Sequence, residues 1–377
     1  MSSSTHQQSP SLLRYQLLYC LLAVLTLPVS GGRRSSEQQH SGVFNTSTTA
    51  ILVFGDSTVD PGNNNFIPTV FRSDFPPYGR DFLNHEPTGR FTNGRLATDY
   101  IASYAGIKDL IPPYLDPNLE MKNLLTGVSF ASAGSGFDPL TPAISNVIPL
   151  RKQLDYLKEY KKRVELGMGK DRAEAHIKKA AFVVSAGTND FVLNYFLLPF
   201  RRQIYSVSSY QRFVIQLLMD FLQGLWEEGG RRIAVVGLPP IGCLPIVITL
   251  NLDKTMLTRG CVESYSAAAR GFNQILKKEL KSMQSKLAKD NVKFYYVDSY
   301  GPLADMIHNF HNYGFEEAGS GCCGSGYVEA SFLCNPKTYT CPDASKYVFW
   351  DSIHPTQATY HNIFLAGRPI VDAMLKH

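Results

Sequence analysis

The sequence is poor in charge and has no strong excess of either sign. Only 18% of its 377 residues are charged, and 37 Lys and Arg against 32 Asp and Glu give a formal net charge of +5. The densest basic run, Lys158 to Arg163, follows apolar positions at helical spacing, which favours a solvated helix face. Nothing resembles a basic groove with stacking aromatic residues, so the composition argues against nucleic-acid binding.

A membrane-spanning helix takes about 20 apolar residues. The sequence has no apolar run of that length. The run from Leu17 to Leu27 is shorter, follows Arg14 and leads into small residues that end at Gly32. This arrangement is typical of a secretory signal peptide, which we predict over residues 1–32, with a buried helix of the mature fold as the alternative. The mature protein is therefore expected to be secreted, without a stable membrane anchor.

Cysteine pairs with the C-x-x-C spacing of zinc ribbons do not occur. Of the seven cysteines, Cys20 lies in the predicted signal peptide, and an even set of six in an exported chain indicates disulfides. The simplest local pair is Cys243 with Cys261, and the adjacent Cys322 and Cys323 are expected to bond elsewhere rather than to each other. The other two candidates are Cys334 and Cys341, and the complete pairing stays open.

Four short apolar runs, each followed by glycine or polar residues, predict strands that are buried on both faces of a parallel sheet. They cover residues 50–54, 180–185, 232–236 and 292–297. Apolar residues recur at helical spacing between them, most clearly from Tyr265 to Leu287 and from Phe213 to Trp226. This alternation predicts a doubly wound α/β sheet.

The predicted domain organisation is simple. No linker, low-complexity stretch or internal repeat divides residues 45–377, so we predict a single domain there, preceded by a flexible segment over residues 33–44. Asn45 begins the only N-x-[ST] sequon, and an exposed position near the mature N-terminus makes it a candidate glycosylation site.

Polar residues that could carry chemistry follow two predicted strands and recur near the C-terminus. Ser57 follows the first strand, and sites in open α/β sheets form at the carboxyl ends of strands. Asp351 and His354 are three residues apart, and Pro355 disfavours helical geometry at His354. A carboxylate on one imidazole nitrogen leaves the other free to take a proton from a serine. These residues could therefore act as nucleophile (Ser57), general base (His354) and orienting acid (Asp351).

Such chemistry also needs hydrogen-bond donors for the oxyanion of a tetrahedral intermediate. The small-residue loop over residues 129–138 could present backbone N–H groups, with Gly134 as the first choice and Gly136 as the second. The side-chain amide of Asn189, which follows the second predicted strand, and the backbone N–H of Ser57 are the other candidates.

Each of these residues also has an ordinary structural interpretation. Ser57 could cap a helix, Asn189 could form a turn, and the two glycines could serve close packing. His354 could be a surface histidine and Asp351 an ordinary cap. The G-x-S-x-G elbow of ordinary α/β-hydrolases is absent, because Val59 stands two residues after Ser57. Spacing alone leaves these alternatives open.

The sequence blocks taken together carry a resemblance that no single motif does. In chain order they read FGDSTVDPGNNN, PPYGRDF, PTGRFTNGRLATDYIA, GVSFASAGSGFD, SAGTNDF, VVGLPPIGCLP, GCCGSG and FWDSIHPT. From about Ala50 to the C-terminus the chain resembles the plant GDSL-type esterase/lipase family of the SGNH hydrolase superfamily. It departs from the family's four-letter name at Thr58, where leucine is usual.

The resemblance implies a three-layer α/β/α sandwich of flavodoxin-like strand order and ester hydrolysis through an acyl-enzyme, without a metal or cofactor. It implies that Ser57, His354 and Asp351 form the triad and that Gly134 and Asn189 hold the oxyanion beside the Ser57 amide. The expected partner is an ester, such as an acyl lipid, an acetylated sugar or a small ester, in the apoplast or cell wall. Two alternatives stay open: an acyltransferase that works like a cutin synthase, and a non-catalytic defence or binding protein.

Overall fold

The computed structural model describes residues 47–251, 259–324 and 334–376. The predicted signal peptide, the predicted flexible segment and Asn45 lie outside these residues. Each of the four apolar runs forms a strand, and the strands are β1 Ile51–Gly55, β2 Ala181–Ser185, β3 Arg232–Val236 and β4 Lys293–Val297.

The four strands form one parallel sheet in the order β1-β2-β3-β4. A further segment runs parallel to β1 on its free edge, where Val53 donates to the carbonyl of Val128 (3.0 Å) and accepts from the N–H of Phe130 (2.7 Å). If this segment counts as the second strand of the chain, the order becomes 2-1-3-4-5, which is the flavodoxin-like order. The predicted α/β fold with a parallel sheet is confirmed.

Helices cover both faces of the sheet. Their bounds are α1 Ala97–Tyr104, α2 Met121–Leu124, α3 Leu140–Ser145, α4 Leu150–Met168, α5 Lys170–Lys179, α6 Val207–Glu227, α7 Pro245–Leu250, α8 Glu263–Lys286, α9 Tyr300–His308 and α10 Gln357–Leu375. A π-helix, Asp190–Leu197, follows β2. None of the helices in the described residues has the length and apolar character needed to cross a bilayer.

Alternation along the strands divides the core into two layers of different side-chain size. Phe182 and Ile233 point towards α4, α6 and α8 and join the larger apolar cluster. Val183 and Ala234, their neighbours in the chain, point to the opposite face and pack in a smaller cluster with residues of α1 and α10. At these positions of β2 and β3 the sheet presents larger side chains to one helical layer than to the other.

The part of the chain that carries Asp351 and His354 is held by a second, two-stranded sheet and by disulfides. Strand β5, Glu317–Gly321, pairs with β6, Tyr347–Phe349. The disulfides are Cys243–Cys261, Cys322–Cys341 and Cys323–Cys334. The predicted local pair is confirmed, and the two adjacent cysteines each bond to a different partner, as expected.

Candidate active site

The end of β1, which leads to Ser57, is fixed by contacts that only glycine permits. Gly55 has a φ of +145°, and a Cβ there would lie 1.8 Å from the carbonyl oxygen of Ser185. The side-chain amide of Gln153 bonds to both the N–H and the carbonyl of Gly55, each at 2.9 Å. The turn that carries Ser57 therefore begins from a rigid position.

Asp56 stabilises this turn and makes no hydrogen bond to the imidazole among the described residues. Its Oδ1 accepts hydrogen bonds from the backbone N–H (3.0 Å) and the hydroxyl (2.8 Å) of Thr58, and the same hydroxyl lies 2.8 Å from Ser185 Oγ. Burial raises the pKa of Asp56 to about 6, against the lowering effect of these bonds and of the nearby His354. The hydroxyl at position 58, where the family name has leucine, thus takes part in fixing the turn.

The asparagines that follow Ser57 tie its loop to the segment beside β1. Asn63 donates to the carbonyls of Ser129 and Ala131, each at 2.8 Å, and Asn64 donates to the carbonyl of Ala133 at 3.0 Å. Asp60 accepts the N–H of Ala133 at 2.9 Å. These side chains therefore position the loop that contains Gly134.

A tight turn after β6 brings Asp351 and His354 together. Oδ1 of Asp351 accepts the backbone N–H groups of Ile353 (2.9 Å) and His354 (2.8 Å). The Nδ1 atom of His354 lies 2.9 Å from Oδ1 and 2.8 Å from Oδ2 of the same carboxylate. Burial raises the pKa of Asp351, but the charge of His354 and these hydrogen bonds outweigh it, so its pKa lies below the ordinary value.

The other imidazole nitrogen faces Ser57. His354 Nε2 lies 2.7 Å from Ser57 Oγ, although the two residues are 297 positions apart. A carboxylate can only accept, so Nδ1 carries the hydrogen and Nε2 is left to accept the proton of the serine hydroxyl. Ser57, Asp351 and His354 are 6%, 1% and 3% exposed. Their burial strengthens the hydrogen bonds among them, because the local dielectric constant is low.

The predicted oxyanion donors lie in two loops that touch each other. The side-chain amide of Asn189 donates to the carbonyl of Ser135 at 2.9 Å, which joins the loop after β2 to the loop of Gly134 and Gly136. Within the described residues, no hydrogen bond engages the backbone N–H of Ser57, Gly134 or Gly136. Three of the four predicted donors therefore have no hydrogen-bond partner among the described residues.

Gly134 and Gly136 differ in their surroundings. Gly134 has a φ of +83°, in a turn that the bond from Ser135 N–H to Ser132 O closes. A Cβ on Gly136 would lie 2.3 Å from the carboxylate of Asp190, so this glycine makes room for a buried acid. Among the described residues, Ser57 and Asn189 line the cavity between the sheet and α10, and neither glycine does. Both glycines stay predictions as oxyanion donors.

Comparison with known proteins places this arrangement in a family. The sequence profile of the GDSL-like lipase/acylhydrolase family matches residues 51–366. The chain belongs to this family. The resemblance predicted from the eight sequence blocks is thus confirmed.

The relatives of this GDSL chain include curated plant proteins of similar length. GDSL esterase/lipase At5g45960 of Arabidopsis thaliana is 59% identical over 329 residues, which cover 87% of this chain and 88% of the relative. GDSL esterase/lipase At1g06990 of the same plant is 44% identical over 352 residues, which cover 92% of this chain and 97% of the relative. The predicted class, a carboxylic ester hydrolase, agrees with the family description and with these names.

One residue of the GDSL site was missed in the sequence. The hydroxyl of Tyr78 donates to Asp351 Oδ2 at 2.8 Å, so the carboxylate receives a hydrogen bond from outside its own turn. Tyr78 packs edge-on against Phe91, whose ring centroid lies 4.9 Å from that of His354. The sequence indicated Tyr78 only as part of the family block PPYGRDF. Nothing in that block predicts that its hydroxyl bonds to Asp351.

The buried acids of this GDSL chain predict a distinct pH dependence of stability. Burial raises the pKa of Asp56 and Asp60 to about 6 and that of Asp190 to about 7, from an ordinary value of 3.8. Between pH 4 and 7 these groups bind more protons in the folded state than in the unfolded state, so the free energy of unfolding should fall as pH rises. Urea unfolding at pH 5.0 and 7.5 measures this difference.

Asp190→Asn is the matched variant for this measurement. It removes the titrating group with the largest of the three shifts, and we expect a smaller loss of stability between the two pH values than in the wild type. An unfolding free energy that rises from pH 5.0 to 7.5 in the wild type would contradict the prediction.

Proposed function

We propose that this chain is a secreted serine esterase that hydrolyses carboxylic esters through an acyl-enzyme on Ser57. The observation that carries the proposal is the chain of contacts from Ser57 Oγ to His354 Nε2 (2.7 Å) and from His354 Nδ1 to Asp351 Oδ2 (2.8 Å). This order of nucleophile, base and orienting acid is the arrangement that activates a serine for acyl transfer.

In the proposed mechanism, His354 Nε2 takes the hydroxyl proton as Ser57 Oγ bonds to the ester carbonyl carbon. Asp351 stabilises the imidazolium that forms, and its hydrogen bonds from Tyr78 and the turn amides keep it in place. The oxyanion is stabilised by the N–H groups of Ser57 and Gly134 and by the Asn189 amide. The imidazolium then protonates the leaving alcohol, and water resolves the acyl-enzyme by the reverse sequence.

The family and the geometry support this activity over a non-catalytic binding role. A protein that only binds has no use for an imidazole with one nitrogen on a carboxylate and the other on a serine hydroxyl. Acyl transfer to an alcohol uses the same acyl-enzyme, so it differs only in the acceptor of the second step. Secretion is proposed from the N-terminal sequence, which matches a signal peptide in charge, length and small-residue end.

A covalent probe tests the proposal on the native protein. A fluorophosphonate should label the folded chain at a single site, and mass spectrometry of the digested adduct should place the label on Ser57. Protein unfolded in urea serves as the control, because labelling there would not depend on the site. Absence of a label on correctly folded protein, or a label on another serine, would refute the assignment. Product analysis with an added alcohol then separates hydrolysis from acyl transfer.

A further inference from the structure

A cavity of about 130 Å³ opens beside Ser57 and continues between the sheet and α10. Its floor consists of small side chains on one face of β2, β3 and β4, namely Val183, Ser185, Ala234, Val236 and Val297. Val183 pairs with Ala234, and Val236 pairs with Val297, so these small residues are side by side across the strands. The small side chains on this face of the sheet thus leave space below α10.

The roof of the cavity is one face of α10. The residues that line it recur at helical spacing: Tyr360, Ile363, Phe364, Gly367, Val371 and Met374. Because Val371 and Met374 cluster with Val183 and Ala234, the far end of the cavity lies about two residues down the strands from their carboxyl ends. At a rise of about 3.3 Å per residue, that end is roughly 7 Å further from the strand ends, where Ser57 lies.

The two serines that line the cavity besides Ser57 are already hydrogen-bonded. Ser185 Oγ lies 2.8 Å from the Thr58 hydroxyl, and Ser299 donates to the carbonyl of Gly237 at 2.6 Å. Beyond them the floor and roof are aliphatic, except for the ring of Phe364 and for Tyr360, whose buried hydroxyl has no hydrogen-bond partner among the described residues. An elongated apolar cavity that ends at an activated serine fits a hydrocarbon chain attached to an ester carbonyl.

Gly367 controls the free space in this cavity. It stands in the interior of α10, where glycine is unfavourable, and a Cβ built on it would have Val297 Cγ1, at 4.0 Å, as its nearest neighbour. The missing side chain would therefore extend into the cavity towards the sheet. A glycine that weakens a helix and keeps a cavity open at the same position points to a role in binding rather than in packing.

We propose that this cavity binds the acyl chain of the substrate and that Gly367 sets its length, so that the chain prefers medium-chain esters of about six to eight carbons. The inference rests on the proposed function, because the cavity begins at Ser57. Its volume is close to that of an engineered apolar cavity of about 150 Å³ that holds benzene, which has six carbons. An acetyl group leaves this space empty, and a long fatty acyl chain exceeds it.

The test is a panel of p-nitrophenyl esters with two to twelve acyl carbons. Each buried methylene contributes roughly a factor of four, and hexanoate has four more than acetate, so its kcat/KM should exceed that of acetate by about 250-fold. Activity should decline beyond eight carbons. In Gly367→Leu the side chain fills the cavity, so the ratio of kcat/KM for hexanoate to that for acetate should fall at least about tenfold. The ratio of hexanoate to acetate in Gly367→Ala should lie between those of the wild type and Gly367→Leu.

The matched control is Ala366→Leu, which adds a larger side chain at the exposed neighbouring position of the same helix. It should leave the ratio of hexanoate to acetate unchanged. Thermal unfolding of each variant checks the fold, and Gly367→Leu should be no less stable than the wild type because it removes a helix glycine.

The outcomes separate the two proposals. If acetate is hydrolysed but hexanoate is no better, or if Gly367→Leu lowers both esters equally, the acyl cavity is refuted and the esterase stands. If no ester is hydrolysed and Ser57 is not labelled, both proposals fall.

Discussion

Ser57→Ala is expected to reduce kcat for p-nitrophenyl butyrate by about 10⁶-fold, since loss of the nucleophile removes the acyl-enzyme route. Removal of one oxygen leaves His354 and Asp351 in place but gives the imidazole no hydroxyl to deprotonate. The residual rate should come from the oxyanion donors and from substrate binding alone. Steady-state hydrolysis and fluorophosphonate labelling of the purified variant measure the effect.

Ser352→Ala is the matched control for this variant. Ser352 is also buried and stands next to Asp351, but its hydroxyl has no hydrogen-bond partner in the described part of the chain. Its removal should change kcat by less than about tenfold, because surrounding atoms lose no polar contact. Equal losses in both variants would show that the site had been disturbed as a whole, and unchanged activity in Ser57→Ala would rule out Ser57 as the nucleophile.

The sheet could be predicted from the sequence because its strands are short, apolar and bounded by glycine or polar residues. Burial on both faces makes such runs conspicuous, and each of the four coincides with a strand to within one residue. The segment beside β1 was missed as a strand. Its residues, Val128 to Ser132, include two serines that interrupt any apolar run, and the structure pairs them with β1.

The candidate site residues could be predicted from the sequence, but the residues that hold them in place could not. Ser57, His354 and Asp351 were predicted because they follow strand ends or a turn and resemble family blocks, and the structure brings them into contact; their catalytic roles stay a prediction. The hydrogen bond from Tyr78 to Asp351 spans 273 residues, and no local pattern encodes such a contact. The π-helix after β2 was also unpredicted, because the apolar spacing of residues 190–197 is equally typical of an ordinary helix.

The proposed acyl cavity could also be predicted only in part from the sequence. The alternation of large and small residues in β2 and β3 is visible in the sequence, as Phe182 and Ile233 beside Val183 and Ala234. Whether the small residues leave a cavity depends on which helix packs against them, and the sequence pattern does not predict that packing.

Asp351→Asn is expected to lower kcat by about 10⁴-fold, because an amide can present its NH₂ group where the carboxylate only accepts. Facing such a donor, Nδ1 of His354 would act as acceptor, and Nε2 would carry the hydrogen. The imidazole could then no longer take the proton of Ser57. The rate of fluorophosphonate labelling should fall with kcat, since both reactions need the same deprotonation. Stopped-flow labelling and steady-state hydrolysis of the variant test this.

Tyr78→Phe is the matched control, because it removes one hydrogen bond to Asp351 and leaves the carboxylate itself. The imidazole keeps its tautomer, so kcat should fall by only about tenfold, the equivalent of a hydrogen bond worth about 1.4 kcal/mol. The contrast between the two variants isolates what the carboxylate does: if Asp351→Asn lost no more than Tyr78→Phe, Asp351 would be a structural anchor of the turn, and a different group would have to orient His354.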